Sequence, residues 1–214
     1  MKTIIFILIF IFVFNKLFAQ SDDFGVWIDL SASKKIKSTD LTLYGEYYTK
    51  NNSQTIERTS IGFGACFPII SFMKVDAGYL LLNYNMTDYF EIRNRFFTSL
   101  AIKWELQDFV FSLRERIQLT TNSQSGFDVA NVVYWRNRFR AEYKNPIWKV
   151  YPLATIESFH YIGSISTNTF DEFRYSLAAK YSFTKNQDIM LYGLWSDAVS
   201  RNFYVIGLEY EISI

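Results

Sequence analysis

The chain has 214 residues, enough for one domain, and its 22 Lys and Arg balance 21 Asp and Glu to a formal net charge of +1. That balance excludes a general polyanion binder, which carries a large basic excess. Aromatic residues make up 19% of the chain, yet mean hydropathy sits near zero, which excludes a polytopic helical membrane protein.

At the N-terminus, Lys2 and Thr3 precede the apolar run IIFILIFIFVF (Ile4 to Phe14), and NKLFAQ follows. A short basic region, an apolar run and a small residue soon after it predict a secretory signal peptide over residues 1–19. Cleavage after Ala19 leaves Gln20 first, and residues 20–214 as the mature domain. The run is too short for a spanning helix, which needs about 20 apolar residues. No Cys follows it to carry a lipid anchor.

From residue 20 onward, apolar and polar residues alternate with period two, the pattern of strands. Polar clusters punctuate the alternation: SKKIKS (33–38), KNNSQ (50–54), NYNMTD (83–88), TNSQSG (121–126), KNP (144–146), GSISTN (163–168), TKNQD (184–188) and SDAVSRN (196–202). Shorter breaks fall at 68–71 and 105–108. The predicted strands are 24–33, 39–50, 55–67, 71–83, 88–103, 108–120, 129–144, 148–161, 169–184, 188–196 and 202–214. Soluble strands run to about 5 to 6 residues, whereas a tilted membrane strand needs about 9 to 11. These lengths predict an all-β chain folded as a single antiparallel transmembrane β-barrel of 10–12 strands. Bacterial single-chain barrels have even strand numbers, so ten or twelve is the expectation. The longer connections, after residues 120 and 161, are expected to face outside, and the C-terminus the periplasm.

Parity divides each strand into a charged face and an apolar one. In 134–144, YWRNRFRAEYK, the residues Arg136, Arg138, Arg140 and Glu142 share a face opposite Trp135, Phe139 and Tyr143. In 169–184, Glu172, Arg174 and Lys180 oppose Phe173, Tyr175, Leu177 and Tyr181; in 108–120, Arg114 and Arg116 oppose Phe109, Phe111, Leu113 and Ile117. A soluble sandwich alternates too, with its apolar face inside. A barrel in lipid turns the apolar face outward and the polar face inward, while closure satisfies the backbone without water. Export, strand-end aromatics and dense charge of both signs favour the membrane form. Asn94, Glu115 and Asn137 fall on outward parity, at the headgroup level or next to a bulge.

The predicted interior set holds Arg58, Arg93, Arg95, Arg114, Arg116, Arg136, Arg138, Arg140 and Arg174 against Glu46, Glu91, Glu142, Glu157, Glu172 and Glu209. Guanidinium groups bind carboxylates through two prongs, and unpaired charges in a poorly solvated space are costly. A cross-lumen lattice of Arg–Glu pairs is therefore expected, with surplus arginine able to attract a small anionic solute. Nucleic acid is not an expected partner, because the arginines and aromatics point to opposite faces.

Six segments in this order, FGVWIDLSASKKI, GEYYTK, AGYLLLNYN, FSLRERIQLT, RNRFRAEYK and VIGLEYEISI, resemble the bacterial outer-membrane barrel family catalogued as domain of unknown function 2490 (DUF2490). The resemblance implies the outer membrane of a Gram-negative bacterium, with its lipid and its assembly machinery as partners. It implies no activity and transfers no catalytic residue. Many outer-membrane chains end in an aromatic residue; this one ends in Ile214.

Signals for chemistry are sparse. The lone Cys66 has no disulfide or metal partner spacing. Gly62 and Gly64 form no phosphate loop and more plainly let bulky neighbours or lumen arginines approach the wall. No cofactor motif and no metal-ligand spacing occurs. His160, the single histidine, shares a face with Ser158, in the reverse of the His-then-Ser order of outer-membrane lipid hydrolases. The expected function is a non-enzymatic barrel with a structural or small-solute, anion-leaning channel role. The alternatives are a lipid hydrolase built on Ser158 and His160, or an exported soluble barrel that binds a ligand.

Overall fold

The computed structural model describes residues 23–86, 88–122, 131–144, 147, 149–162, 170–199 and 202–214. The signal peptide over 1–19, and the middle of the two long connections after residues 120 and 161, lie outside the described residues. The described residues form eleven β-strands: β1 (Asp23–Ile36), β2 (Thr39–Lys50), β3 (Thr55–Ile70), β4 (Met73–Asn85), β5 (Phe90–Leu106), β6 (Phe109–Asn122), β7 (Val132–Tyr143), β8 (Val150–Tyr161), β9 (Phe170–Thr184), β10 (Gln187–Ala198) and β11 (Phe203–Ser213). Each strand pairs with its sequence neighbours, and β1 closes against β11 to complete a barrel.

The expectation of ten or twelve strands, all antiparallel, is corrected by this closure. A ring with an odd number of strands cannot alternate direction all the way round, so one seam runs parallel. Here β1 and β11 lie parallel and in step from Asp23↔Phe203 to Ser33↔Ser213. The end of the seam is fixed by Ile214 N–H donating to Ser33 O at 2.7 Å and by a Ser33–Ser213 hydroxyl contact at 3.2 Å. The parallel seam also places the start of β1 beside the start of β11, at the end of the barrel where the long connections emerge. The two ends of the described chain, Asp23 and Ile214, thus lie at opposite rims.

At the other rim four connections are tight. Residues 37–38, 71–72, 107–108 and 185–186 are turns between strands. Lys37 (φ 58°) and Gln107 (φ 53°) hold the left-handed backbone that favours two-residue hairpin turns. The cluster SKKIKS is therefore mostly strand, and β1 extends past the predicted residue 33. Pro68 lies inside β3, where the β3–β4 register shifts between Pro68 and Ile70; a shift accommodates a residue that donates no ladder hydrogen bond. At the long-connection rim, Asp23 organises the turn at 51–54. Its carboxylate accepts from Asn51 N–H at 3.0 Å and from Asn52 N–H at 2.8 Å.

Alternation sorts the side chains by wall. Leu43 and Ile61, on the outside of β2 and β3, are 64% and 67% exposed, whereas Leu82 inside β4 is fully buried. The outer surface of the described barrel carries Leu41, Phe63, Phe96, Ile117, Phe139, Ile156, Leu177 and Leu191 among many exposed apolar residues. Many outer aromatics gather toward the two rims, while Phe63, Tyr79 and Phe96 pack on one another nearer the middle of the wall. Trp104, Phe109, Phe111, Phe139 and Tyr143 touch one another near the tight-turn rim. Tyr175 stacks on Trp195 at 5.2 Å nearer the opposite rim, and Trp135 packs against His160 there.

Inside, small residues make room for rings. A Cβ on Gly207 would fall within the Tyr192 ring, and one on Gly78 would come 2.5 Å from Cζ of Phe97. Leu80 and Tyr44 crowd Gly62 and Gly64. The glycines therefore admit bulky neighbours, and no arginine is among the atoms nearest them.

Candidate functional site

The barrel interior encloses a cavity of about 450 Å³ lined by charged residues from nine of the strands, among them Asp29, Glu46, Arg95, Arg116, Arg138, Glu157, Arg174 and Glu209. Aromatic rings set the arginines in place. The Arg116 guanidinium lies 4.1 Å from the Phe97 ring centre, and Arg136 and Arg174 lie 4.4 Å and 4.3 Å from the centre of the same Phe159 ring. Arg58 covers Tyr48 at 4.1 Å. Such contacts suit guanidinium, which is planar and weakly hydrated.

The predicted charges meet in several ways. Arg58 binds Glu46 at 3.0 Å across β2 and β3, and Ser60 donates to the same carboxylate oxygen at 2.6 Å. Glu157 accepts from Arg114 at 2.7 Å and from Arg136 at 3.1 Å, both through one oxygen. Arg93 grips Glu91 with two prongs at 2.7 and 3.1 Å. Arg174 grips Glu172 in the same manner at 2.6 and 3.0 Å, and Ser196 donates a short hydrogen bond to Glu172. The last two arginine–glutamate pairs join residues two apart on one strand. The others join strands one or two places apart, so the pairs follow the wall. The expected cross-lumen lattice is corrected on this point: the cavity separates opposite walls, and near neighbours satisfy one another first.

The remaining members differ. Arg95 donates to Thr120 Oγ1 and to the Tyr84 hydroxyl, each at 3.2 Å, and meets no carboxylate at ion-pair distance among the described residues. Glu142 faces Lys144 at 3.7 Å. The side chains of Arg138 and Arg140 make no hydrogen bond or ion pair among the described residues, while Glu209 lies within hydrogen-bonding reach of Glu211. Arg140 and Glu209 do share a small second hollow with Lys180 and Asp188, where Lys180 binds Asp188 at 2.7 Å.

Several interior residues lie outside the predicted charge set. Asp29 accepts from the hydroxyls of Tyr48 at 2.8 Å and Tyr192 at 3.2 Å. Asp76 lies 3.7 Å from Arg116 across β5. Phe97 and Phe159 are buried among the arginines. Parity carried a signal for both rings, since Phe97 shares a face with Arg95 and Phe159 with Glu157.

On the outer wall, the three polar exceptions are each bonded to a neighbouring strand, with no register shift at these positions. Tyr79 O–H donates to Asn94 at 2.6 Å, Trp135 Nε1 donates to Glu115 at 2.7 Å, and Asn137 Nδ2 donates to Ser158 Oγ at 3.3 Å. Ser158 Oγ lies 3.1 Å from His160 Nε2, so these two do meet. Among the described residues no carboxylate bonds to His160. None of the described His, Cys, Asp and Glu side chains form a group of three or more placed to hold a metal ion.

A closed all-β barrel with an apolar outer wall and a charged interior defines the class of protein. The chain belongs to the family described as protein of unknown function (DUF2490), whose profile matches residues 24–203. Searches of curated proteins and of solved structures gave no match.

Proposed function

We propose that this chain is an outer-membrane β-barrel of a Gram-negative bacterium, and that its arginine- and glutamate-lined interior serves a structural or small-solute, anion-leaning channel role without catalysis. One observation carries the reading: the polarity of the walls is inverted. Exposed Leu43, Ile61, Phe63, Leu177 and Leu191 form the outer surface, while Glu91, Glu157 and Glu172 are buried inside. A soluble protein rarely leaves a contiguous apolar surface beyond a few hundred Å², so an exported soluble binder is disfavoured. The aromatics gathered toward the two rims suit the headgroup levels of a bilayer. The tight turns then face the periplasm and the long connections the outside, with Asp23 at the outer rim. A signal peptide over 1–19 supplies export, and the assembly machinery inserts the strands.

A heat-shift assay on gels tests this reading. The detergent-folded protein is expected to migrate as a compact species that slows after boiling. Full solubility without detergent, with no heat shift, would contradict it.

A second reading rests on the 3.1 Å contact between Ser158 and His160, the start of a lipid hydrolase site on the outer wall. A base of this type is ordinarily oriented by a third group, and none of the described residues supplies a carboxylate there. Ester hydrolysis by the folded barrel that disappears in both Ser158→Ala and His160→Ala would establish it; equal rates in all three proteins would remove it.

A further inference from the structure

We propose that the β6–β7 wall of the cavity is a binding site for a small multivalent oxyanion of the phosphate class, held by Arg114, Arg116, Arg136 and Arg138. The inference deepens the anion-leaning reading of the interior and rests on it.

Basic charge is concentrated on the β6–β7 wall of the cavity, while Arg58, Arg95 and Arg174 line it from other strands. On β6 and β7, Arg114 stands opposite Arg138, and Arg116 opposite Arg136, as cross-strand partners. Arg140 continues the row on β7, opposite Ser112. Like charges directly opposite one another destabilise a sheet, so two consecutive cationic pairs need a compensating negative charge. The wall itself supplies little. Glu157 is shared between Arg114 and Arg136, and Asp76 touches Arg116 only at 3.7 Å. Arg138 makes no hydrogen bond or ion pair among the described residues. The Nε atoms of Arg114, Arg136 and Arg140 are buried without a partner.

Of the other acids that line the cavity, Glu46 and Glu172 are held by Arg58 and Arg174, and Glu57, Asp171, Asp29, Glu209 and Glu211 also lie off the β6–β7 wall. Asp29 is on β1 and Glu209 and Glu211 are on β11, and all three line the same space. In a ring ordered β1-β11-β10-β9-β8-β7-β6-β5-β4-β3-β2, these strands stand across the barrel from β6. Their carboxylates repel an anion from the far wall and hold it against the arginines. The available space of about 450 Å³ accepts a small oxyanion together with water. Forked guanidinium donors match phosphate oxygens geometrically, and several forks around one site favour a tetrahedral multivalent ion over chloride.

The test measures unfolding temperature of the detergent-folded full chain, and titrates inorganic phosphate against chloride at equal ionic strength. Phosphate is expected to raise the unfolding temperature saturably, and chloride is not. Arg138→Gln removes a cation that has no partner, so this variant is expected to fold and to be more heat-stable than the parent without phosphate. It is also expected to bind phosphate at least about tenfold more weakly, the loss of one charge-assisted contact. Arg93→Gln, at a pair outside the cavity lining, is expected to keep phosphate binding. A folded barrel that responds equally to phosphate and chloride overturns the site, as does Arg138→Gln with unchanged phosphate response. Lower stability of Arg138→Gln without phosphate also counts against it, because Arg138 then has a structural partner. Failure of the parent to form a heat-shifting barrel in detergent sinks the membrane reading instead.

Discussion

Arg114 of β6 and Arg138 of β7 are cross-strand partners, cation opposite cation, and the Glu157 carboxylate on β8 lies within 2.7 Å of the first and in register with the second. Glu157 also binds Arg136, so one buried acid restrains much of the arginine wall. Removing one partner of a buried ion pair costs about 3–5 kcal/mol, because the other charge is left uncompensated. Glu157→Gln is therefore expected to destabilise the barrel by that order in urea unfolding from detergent. Adding Arg136→Gln to this variant should recover part of the loss. A loss below about 1 kcal/mol, the usual range of a solvated pair, would show that the interior is well hydrated and Glu157 dispensable.

Gly207 and Tyr192 form a second tightly fitted relationship. The ring fills the space that any side chain at 207 would need, and its hydroxyl donates to Asp29. Gly207→Ala forces the ring aside, with an overpacking cost of about 1–3 kcal/mol. The same change in a Tyr192→Ala background should cost much less. Equal losses in the two backgrounds, measured by urea unfolding, would mean that the ring does not occupy this space.

The parallel seam is open to cross-linking. In a Cys66→Ser background, cysteine pairs at Val26 with Ile206, and at Ala32 with Ile212, should oxidise readily, because these residues are in-step partners and a disulfide needs neighbouring Cα atoms. Pairs 26 with 212 and 32 with 206 should not. An antiparallel closure centred on Asp29 and Glu209 would give the reverse outcome on a non-reducing gel.

How far the sequence reached follows from where the information lies. Alternation within one strand is local, so the row Arg136, Arg138, Arg140 and the segments around it were legible. The same parity carried a signal that Phe97 and Phe159 point inward, but aromatic character alone suggested the outer wall and masked it. Turn positions were less legible, because SKKIKS and Pro68 have loop composition while pairing extends their strands. The parallel seam joins the first strand to the last, and no local pattern encodes it. Pairing partners were least accessible. Arg116 and Asp76 lie two strands apart, and their approach depends on the combined register of three strands.

The most direct test of the central claim places spin labels on both faces in a Cys66→Ser background. Single cysteines at Phe139, Ile156 and Leu191 replace exposed outer residues, and those at Thr155 and Met190 replace buried interior ones. In lipid bilayers, the outer labels should be accessible to oxygen dissolved in the acyl chains and shielded from a water-soluble nickel complex. The two interior labels should be markedly less accessible to lipid-dissolved oxygen. Water access at 139, 156 and 191 with lipid contact at 155 and 190 would contradict the inverted barrel.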